Sequence, residues 1–460
     1  MGFTEDTKDT NFVVRLLERT PLRKHATLLT RLSTTMIMRV VRIIVSFTFN
    51  VIIARMLGAD GVGVYFLSYT ITQMSTIIST LGLKQTLTRF TAIHSSNGDW
   101  AQVKGAATRG LTMAGVLSVV MTALVFLSSE TIANIFSIPT LMEPLRWMSL
   151  SILPWTMVFL VSQMLQGINQ IENSLFVQTI SIPLINIPIL ILLSTGYGVV
   201  GAAVSYTIST LITLVLGYRL WRRLTPDLSD VVGDFNTREL LESSIPLFWY
   251  EVTVLIVGML DVLVIGYFET EASVGIYNTV KRVSNLASAV LGSINVVVGP
   301  QFASMYAKGK LPEMELLARN SVRIVSLISI PVIIAFFVIP DVILSVFGSD
   351  FVAGANALRV LGFGQFINAM TGSVGILMIM SGNEKLMRNI AIVTSVLYMV
   401  TLMILTYFYG YIGSAWATSI SSILRNVITM IFVYRLLDIM TLPFPEFLIR
   451  RWFRTNTSEE

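Results

Sequence analysis

The chain has 460 residues, of which 54% are hydrophobic and 13% are charged, and it carries a formal net charge of +5. That charged share is about half of the share in an ordinary soluble domain, which excludes a soluble globular protein. A helix that crosses about 30 Å of hydrocarbon needs roughly 20 residues, so twelve crossings would use about 240 residues. Composition therefore predicts an all-α integral membrane protein with no large domain outside the bilayer.

Reactive and metal-binding side chains are scarce. The chain has no cysteine and only two histidines, which excludes disulfides and thiolate sites and disfavours a histidine metal centre. We predict no catalytic residue, no metal and no cofactor. The positive charge is interpreted as a topology signal rather than as a nucleic-acid interface.

Apolar segments predict twelve membrane spans, numbered 1 to 12 in chain order: 33–57, 63–82, 106–128, 147–167, 174–194, 198–218, 244–266, 273–298, 323–339, 357–380, 388–408 and 412–434. Before span 1, Phe12, Val13, Leu16 and Leu17 fall on one helical face, which is typical of a short helix on the membrane surface. A frayed polar tail is the alternative.

Basic residues alternate between the connections. One set of connections carries most of them, including Lys84, Arg222 and Lys308, whereas the other set carries acids such as Asp60 and Glu269. The positive-inside rule places the basic set in the cytoplasm. We therefore expect a cytoplasmic membrane protein with both termini inside, in which Lys84 is a topology signal.

The two halves of the chain resemble each other at a nearly constant offset in the numbering. Gly63-Val64-Tyr65 corresponds to Gly275-Ile276-Tyr277, and Tyr197–Ala203 corresponds to Tyr409–Ala415. Two units of six spans enter from the same side, so they form parallel repeats with an axis along the membrane normal. The predicted organisation is an N-terminal segment, a six-helix bundle, a linker, a second six-helix bundle and a tail, at 1–32, 33–218, 219–243, 244–434 and 435–460.

Two stretches resemble a known family. Ala54–Tyr65, followed by Leu81-Gly82-Leu83 and the basic segment from Lys84 to Arg89, is similar to the Wzx-type polysaccharide flippases, and so is Tyr197–Ala203. These proteins belong to the multidrug/oligosaccharidyl-lipid/polysaccharide (MOP) exporter superfamily. With the repeat, the resemblance covers nearly the whole chain.

The resemblance implies two six-helix bundles around a central cavity, alternating access, and export of a polyprenyl-linked oligosaccharide. The implied partners are that lipid-linked oligosaccharide, membrane lipids and glycosyltransferases or a polymerase of the same pathway, and the implied state is a monomer. No nucleic acid is expected.

Ionisable residues within the spans are the candidate site residues, because a charge in hydrocarbon usually faces a cavity. Guanidinium and ammonium groups suit the phosphate or diphosphate of a lipid-linked sugar. The predicted substrate-binding residues are Arg39, Arg42, Lys281, Arg282 and Arg425. For Lys281 and Arg282 the alternative is outward snorkelling or pairing with Asp261.

Two acids are candidates for gating or coupling. Arg39 and Glu251 are separated by the same offset as Gly63 and Gly275, so the repeat axis places them on opposite walls of the cavity. We predict that they pair at the inner end in one conformation; the alternative is a different partner for each. Asp261 and Glu251 are also the candidates for coupling to H+ or Na+, which the sequence leaves open.

Two other functions compete with the flippase interpretation. A multidrug exporter of the same superfamily would share the fold, but pumps for organic cations favour an acidic cavity, and the membrane charges here are mostly basic. A membrane glycosyltransferase or polymerase would need a large outer loop or an acid-rich loop. The sequence therefore favours a transporter over an enzyme.

Overall fold

The computed structural model describes residues 23–225, 228 and 231–443. Within these ranges, side chains are described from residue 37 onward, apart from positions 250, 254, 256 and 257. Every regular element in these ranges is helical. The surface helix predicted around Phe12–Leu17 and the end of the predicted tail lie outside the described residues.

The first half contains eight α-helices in the described residues. They are α1 (Arg23–Ser79), α2 (Leu83–Ser96), α3 (Trp100–Leu127), α4 (Ser129–Ile135), α5 (Met142–Ser149), α6 (Ile152–Gly167), α7 (Ile171–Leu175) and α8 (Ser181–Leu224). A 3₁₀ turn, Pro139–Leu141, precedes α5, and a π-helical turn, Phe176–Ile180, joins α7 to α8.

Seven further α-helices follow in the described part of the second half. They are α9 (Thr237–Phe268), α10 (Glu271–Ala307), α11 (Leu311–Val338), α12 (Pro340–Ser345), α13 (Ala355–Thr371), α14 (Val374–Met380) and α15 (Glu384–Leu437). A 3₁₀ turn, Ser349–Gly354, precedes α13.

Three of the long helices fold back on themselves at a glycine. Gly58 in α1, Gly198 in α8 and Gly410 in α15 have φ values of 66°, 53° and 58°. This left-handed region is costly for residues with a Cβ atom. The rings of Phe49 and Tyr65 lie 6.4 Å apart, although 16 residues of straight helix would separate them by about 24 Å. The helix α1 is therefore a helical hairpin.

The arms of α8 and α15 meet in the same way. A Cβ atom on Gly201 would lie 2.4 Å from the Leu193 carbonyl oxygen, and one on Gly413 would lie 1.9 Å from the Leu405 carbonyl oxygen. All three helices are therefore helical hairpins.

The hairpins determine the number of membrane passes. Within the described residues, six helices are long and apolar enough to cross a membrane, and three bent pairs raise the number to nine. Because α1, α8 and α15 each make two passes, the described residues make twelve. The passes occur in the order that the sequence predicts.

Some helix limits differ from the prediction. The ninth predicted span, 323–339, is short, whereas α11 begins twelve residues earlier at Leu311 and has a proline in its first turn, where the missing N–H costs nothing. Predicted span 10 is two helices, because Gly372 adopts a φ of 66° between α13 and α14. The helical turns of α8 also continue to Leu224, inside the predicted linker.

The packing follows the rules for a lipid environment. Large apolar side chains such as Leu127, Leu192 and Leu327 are 74–78% exposed on the outside. Buried Ser and Thr side chains instead donate to the carbonyl three or four residues earlier, as Thr72 does to Ser68 at 3.0 Å. Hydrocarbon is a good solvent for the outer face, and small polar residues allow helices to pack closely.

The acid-bearing connections gather at one end of the molecule. Arg55 Nε donates to the Val346 carbonyl at 2.7 Å, and the Tyr411 hydroxyl donates to the Ala353 carbonyl at 3.0 Å. At the other end, Lys104 Nζ donates to two carbonyls of the connection between the halves, each at 2.8 Å. This grouping agrees with the alternation of basic and acidic connections in the sequence, so we call these ends outer and inner.

The two halves meet at equivalent glycines on the outer end. A Cβ atom on Gly63 would lie 1.7 Å from the Glu271 carbonyl oxygen, and one on Gly275 would lie 2.1 Å from the Ala59 carbonyl oxygen. These reciprocal approaches relate two positions that the sequence repeat makes equivalent. We call this pairing of the second pass of α1 with α10 the outer contact.

Candidate functional site

A first chamber lies between the two halves. Its volume is about 350 Å³, and it is bounded by the first pass of α1, by α10, by Thr179 of the π-turn and by Phe347. Its lining residues are Arg42, Ile43, Ser46, Phe47, Asn50, Thr179, Arg282, Val283, Asn285, Leu286, Ala289 and Phe347. Two arginines line this chamber, and no acid is among its described lining residues.

Arg282 is held in place without being neutralised. Its Nε donates to Asn278 Oδ1 at 2.7 Å, and its guanidinium carbon lies 4.2 Å from the centre of the Phe66 ring. No carboxylate in the described part of the chain forms an ion pair with it. A cation–π contact positions a guanidinium group but leaves its charge available to an anion.

Arg42 contributes the second charge of the first chamber. Its side chain is exposed, and the described residues provide no ion-pair partner for it. Ser46, Thr179 and Asn285 add hydroxyl and amide groups. Two guanidinium groups with polar neighbours form a site suited to a phosphate or diphosphate.

A second chamber of about 170 Å³ lies in the first half and shares Ser46, Thr179 and Arg282 with the first chamber. Aromatic rings dominate it. The lining residues are Ser46, Phe49, Tyr65, Phe66, Tyr69, Trp155, Gln178, Thr179, Ile182, Pro183, Asn186, Tyr206 and Arg282.

Gln73 holds two of these rings in position. Its Nε2 donates to the Tyr206 hydroxyl at 2.9 Å, and its Oε1 accepts from Trp155 Nε1 at 2.8 Å. The Tyr206 ring also packs edge-on against Tyr69, with centroids 5.5 Å apart. The amide is 4% exposed, so this fixed arrangement is built into the core.

Lys281 and Asp261 pair with each other. Lys281 Nζ contacts Asp261 Oδ2, and the Tyr277 hydroxyl donates to the same carboxylate oxygen at 2.9 Å. Tyr277 also lies 2.9 Å from the Thr418 hydroxyl. The structure thus favours the alternative interpretation of Lys281, in which Asp261 compensates its charge.

Arg39 and Arg425 are not among the residues that line either chamber. Arg39 is half-buried on the first pass of α1, and Arg425 is exposed on the second pass of α15. Of the five predicted substrate-binding residues, the structure brings Arg42 and Arg282 together at one chamber.

Glu251 pairs with Lys84 rather than with Arg39 in this conformation. Lys84 Nζ lies 3.2 Å from Glu251 Oε2, and the Thr80 hydroxyl donates to the same oxygen at 3.3 Å. The Lys84 and Glu251 side chains are 16% and 9% exposed. Lys84 therefore has a buried partner in the other half, and its interpretation as a topology signal alone was incomplete.

The backbone also closes tightly beside this pair. A Cβ atom on Gly82 would lie 2.3 Å from the Ser244 carbonyl oxygen and 2.5 Å from the Phe248 nitrogen. We call this region, with Lys84 and Glu251, the inner contact. It joins the first half to α9 at the end opposite to the outer contact.

Sequence reasoning missed the pairing of Lys84 with Glu251 and the aromatic second chamber. A signal for the chamber existed, since Asn186 lies between Pro183 and Pro188 in an apolar span and Gln73 lies in another. Buried amides in a span mark polar contacts or a cavity. For the Lys84 pairing there was no such signal, because Lys84 lies two residues beyond the predicted end of span 2, in a basic connection.

Two family profiles match the sequence. The family described as polysaccharide biosynthesis protein matches residues 28–306, which is more than half of the chain. The MatE family matches residues 246–404. The two matches together run from the first span into the eleventh.

A curated relative and two solved structures are similar. The probable low-salt glycan biosynthesis flippase Agl15 of Haloferax volcanii is 26% identical over 170 residues, or 37% of this chain and 36% of that protein. The chain thus matches about a third of that relative's length. Lipid II flippase MurJ, in an inward closed conformation, superposes with a TM-score of 0.68 at 16% identity over 87% of this chain and 86% of MurJ.

The second structure is the inward-facing conformation of a multidrug resistance MATE family transporter of the MOP superfamily. It superposes with a TM-score of 0.66 at 14% identity, over 86% of this chain and 98% of the transporter. The predicted all-α MOP fold is confirmed. The chain belongs to the polysaccharide biosynthesis protein family and is a multi-pass membrane protein with the fold of the MOP superfamily.

Proposed function

We propose that this protein is a flippase that moves a lipid-linked oligosaccharide across the cytoplasmic membrane, binding the phosphate or diphosphate of the lipid between Arg42 and Arg282. The observation that carries the proposal is the position of both guanidinium groups at one chamber with no acid in its described lining. The protein is then a transporter and not an enzyme.

The chamber chemistry matches an anionic cargo. A guanidinium group binds phosphate oxygens through two parallel hydrogen bonds, and its charge counts for more where water is scarce. Arg282 is preorganised by Asn278 and Phe66, so little side-chain entropy is lost when the anion binds. Arg42 is exposed and can meet the head group as it enters.

The two contacts between the halves support alternating access as the mechanism. The outer contact at Gly63 and Gly275 and the inner contact at Lys84 and Glu251 lie at opposite ends of the molecule. Opening one contact while the other stays closed would expose the cargo to one side at a time. Rocking of two repeats about a central site is the usual motion of such architectures.

The similar proteins support the same function. One is named as a probable glycan biosynthesis flippase and another as a lipid II flippase. We place both termini in the cytoplasm and propose a monomer that receives its lipid-linked glycan from glycosyltransferases. Asp261 is the candidate for coupling to H+ or Na+, although Lys281 compensates its charge in this conformation.

The test uses purified protein in lipid vesicles that contain undecaprenyl diphosphate linked to a labelled oligosaccharide. An impermeant glycosidase reports the fraction of glycan on the outer face over time. Arg42→Gln and Arg282→Gln are each expected to slow translocation at least tenfold, because each removes a charge-assisted hydrogen bond. The control is Arg388→Gln, at an exposed position near the start of α15. Unchanged rates in both chamber variants would contradict the proposal.

A multidrug exporter is the second candidate, favoured by the MatE match over residues 246–404. Its cargo would be an organic cation, which the charges of Arg42 and Arg282 oppose. Vesicles loaded with ethidium discriminate between the candidates. Export of ethidium that survives Arg282→Gln would favour the drug exporter.

A further inference from the structure

The second chamber has a chemistry of its own. It borders the first chamber at Ser46, Thr179 and Arg282, so a ligand whose phosphate lies beside Arg282 would place its adjoining group there. We propose that the second chamber binds the sugar ring attached directly to the phosphate or diphosphate of the lipid. This inference rests on the proposed function, since it requires a glycan lipid as the cargo.

The aromatic walls suit a pyranose ring. Phe49, Tyr65, Phe66 and Tyr69 form a chain of ring contacts, with successive centroids 6.4, 5.2 and 6.2 Å apart. A sugar ring presents C–H groups on its faces and hydroxyl groups around its edge. The electron-rich faces of aromatic rings attract the C–H faces. Because the chamber volume is only about 170 Å³, we assign a single sugar unit to it.

Polar groups in the chamber match the hydroxyl edge. Asn186 is 1% exposed, lies next to the Tyr65 hydroxyl and makes no well-formed hydrogen bond with any described residue. Gln178 is half-buried on the same wall. Buried amides without good partners are costly, and a ligand that offers both donors and acceptors recovers that cost.

The same features oppose other occupants. An organic cation would suit the aromatic rings, but Arg282 already lies over the Phe66 ring and no acid is in the described lining. An isoprenoid tail would bury the amides of Asn186 and Gln178 against hydrocarbon, which leaves their hydrogen bonds unmade. A neutral ring rich in hydroxyl groups meets neither obstacle.

The experiment compares two ligands on the purified full-length protein in nanodiscs. One is the lipid-linked glycan extracted from the cells that produce this protein, and the other is undecaprenyl diphosphate without sugar. Dissociation constants are measured for Asn186→Ala, for the less buried Gln178→Ala, and for Asn389→Ala as a control on the exposed start of α15. Thermal melting checks that each variant is folded.

Asn186→Ala and Gln178→Ala are expected to weaken glycan-lipid binding about tenfold and to leave binding of the sugar-free lipid unchanged. Equal losses for both ligands, or no loss for the glycan lipid in either variant, would overturn the sugar site. Arg282→Gln separates the proposed phosphate site from the proposed sugar site, because it should weaken the binding of both ligands. If Arg282→Gln weakens the binding of neither ligand, the proposed phosphate site is wrong, independently of the results for Asn186→Ala and Gln178→Ala.

Discussion

Lys84 and Glu251 join the two halves of the protein at the inner end, with Lys84 Nζ 3.2 Å from Glu251 Oε2. Both side chains are largely buried, and Lys84 also lies 5.0 Å from the centre of the Phe159 ring. Removing one partner of such a pair leaves an uncompensated charge, which costs far more than an exposed ion pair contributes.

The pair should therefore show charge-swap rescue. Lys84→Glu and Glu251→Lys are each expected to destabilise this conformation by roughly 3–5 kcal/mol, whereas the double variant should recover most of the loss. Translocation in vesicles and thermal melting measure the effect. Reversal of the exposed Lys310–Glu313 pair is the control. A double variant as impaired as the sum of the single variants would count against a direct pair.

The sequence prediction of an Arg39–Glu251 pair has its own test. If these residues pair in another conformation, Arg39→Glu combined with Glu251→Arg should restore transport that each single change removes. Rescue only for the Lys84 combination would restrict Glu251 to the partner that it has in this structure.

The Asp261–Lys281 pair predicts that the losses in melting temperature of its single variants are also non-additive. Asp261 is fully buried, and Asp261→Asn leaves the Lys281 ammonium without its compensating charge. Lys281→Met leaves a buried carboxylate, so each single variant should melt well below the parent. The Asp261→Asn, Lys281→Met double variant should melt closer to the parent than either, since no charge is left unpaired. Additive losses in melting temperature would contradict this coupling.

The outer contact predicts an effect of added Cβ atoms. Gly63→Ala and Gly275→Ala each place a methyl group against a backbone carbonyl, which cannot move aside as a side chain could. Both should open the outer end. Because the chain contains no cysteine, an Ala289→Cys reporter in the first chamber can be labelled specifically from outside.

Labelling of that reporter by an impermeant maleimide is expected to rise severalfold in both glycine variants. Gly292→Ala is the matched control, since it lies on the same helix as Gly275 and its added Cβ would meet no atom within 4 Å. An increase in the control as large as in Gly275→Ala would show that the outer contact is not responsible.

The hairpin at Gly198 predicts that adding a side chain there costs only backbone conformational energy. Its φ is 53°, and an added Cβ would meet no atom within 4 Å, so Gly198→Ala changes the backbone energy without a clash. We expect destabilisation of about 1–2 kcal/mol in detergent unfolding. Gly196→Ala also lies in open space, but its φ is not positive, so it should be neutral or stabilising. Equal effects of the two changes would remove the left-handed turn as the cause.

Much of the fold could be predicted because it depends on local chemistry. The length of the apolar segments predicts the passes. The breaks at Gly58 and Gly410 fall between adjacent predicted spans, and the break at Gly198 falls at the first residue of predicted span 6. The repeat could be predicted as well, because Gly63 and Gly275 have similar neighbours in the sequence. The break at Gly372 was missed because a glycine within an apolar run looks the same whether the helix is continuous or bent.

The candidate site was only partly predictable. Arg42 and Arg282 were predicted from their charge and depth, but so were Arg39, Lys281 and Arg425. Nothing in the sequence separates the two that line the first chamber from the three that do not. The aromatic chamber draws residues from several passes of the first half, and each of them looks like ordinary core on its own helix.

The sequence by itself determined that this is a twelve-pass membrane protein, with basic connections grouped on one side and a repeat that relates Gly63 to Gly275. These properties follow from hydrophobicity, helix length and charge, which act on each segment separately. Only the tertiary structure decided which positive charges remain available to bind an anion. Asp261 compensates Lys281 and Glu251 compensates Lys84, while Arg42 and Arg282 face a chamber with no acid in its described lining. The physical reason is that charge compensation depends on how distant helices rotate and pack, which no single helix encodes.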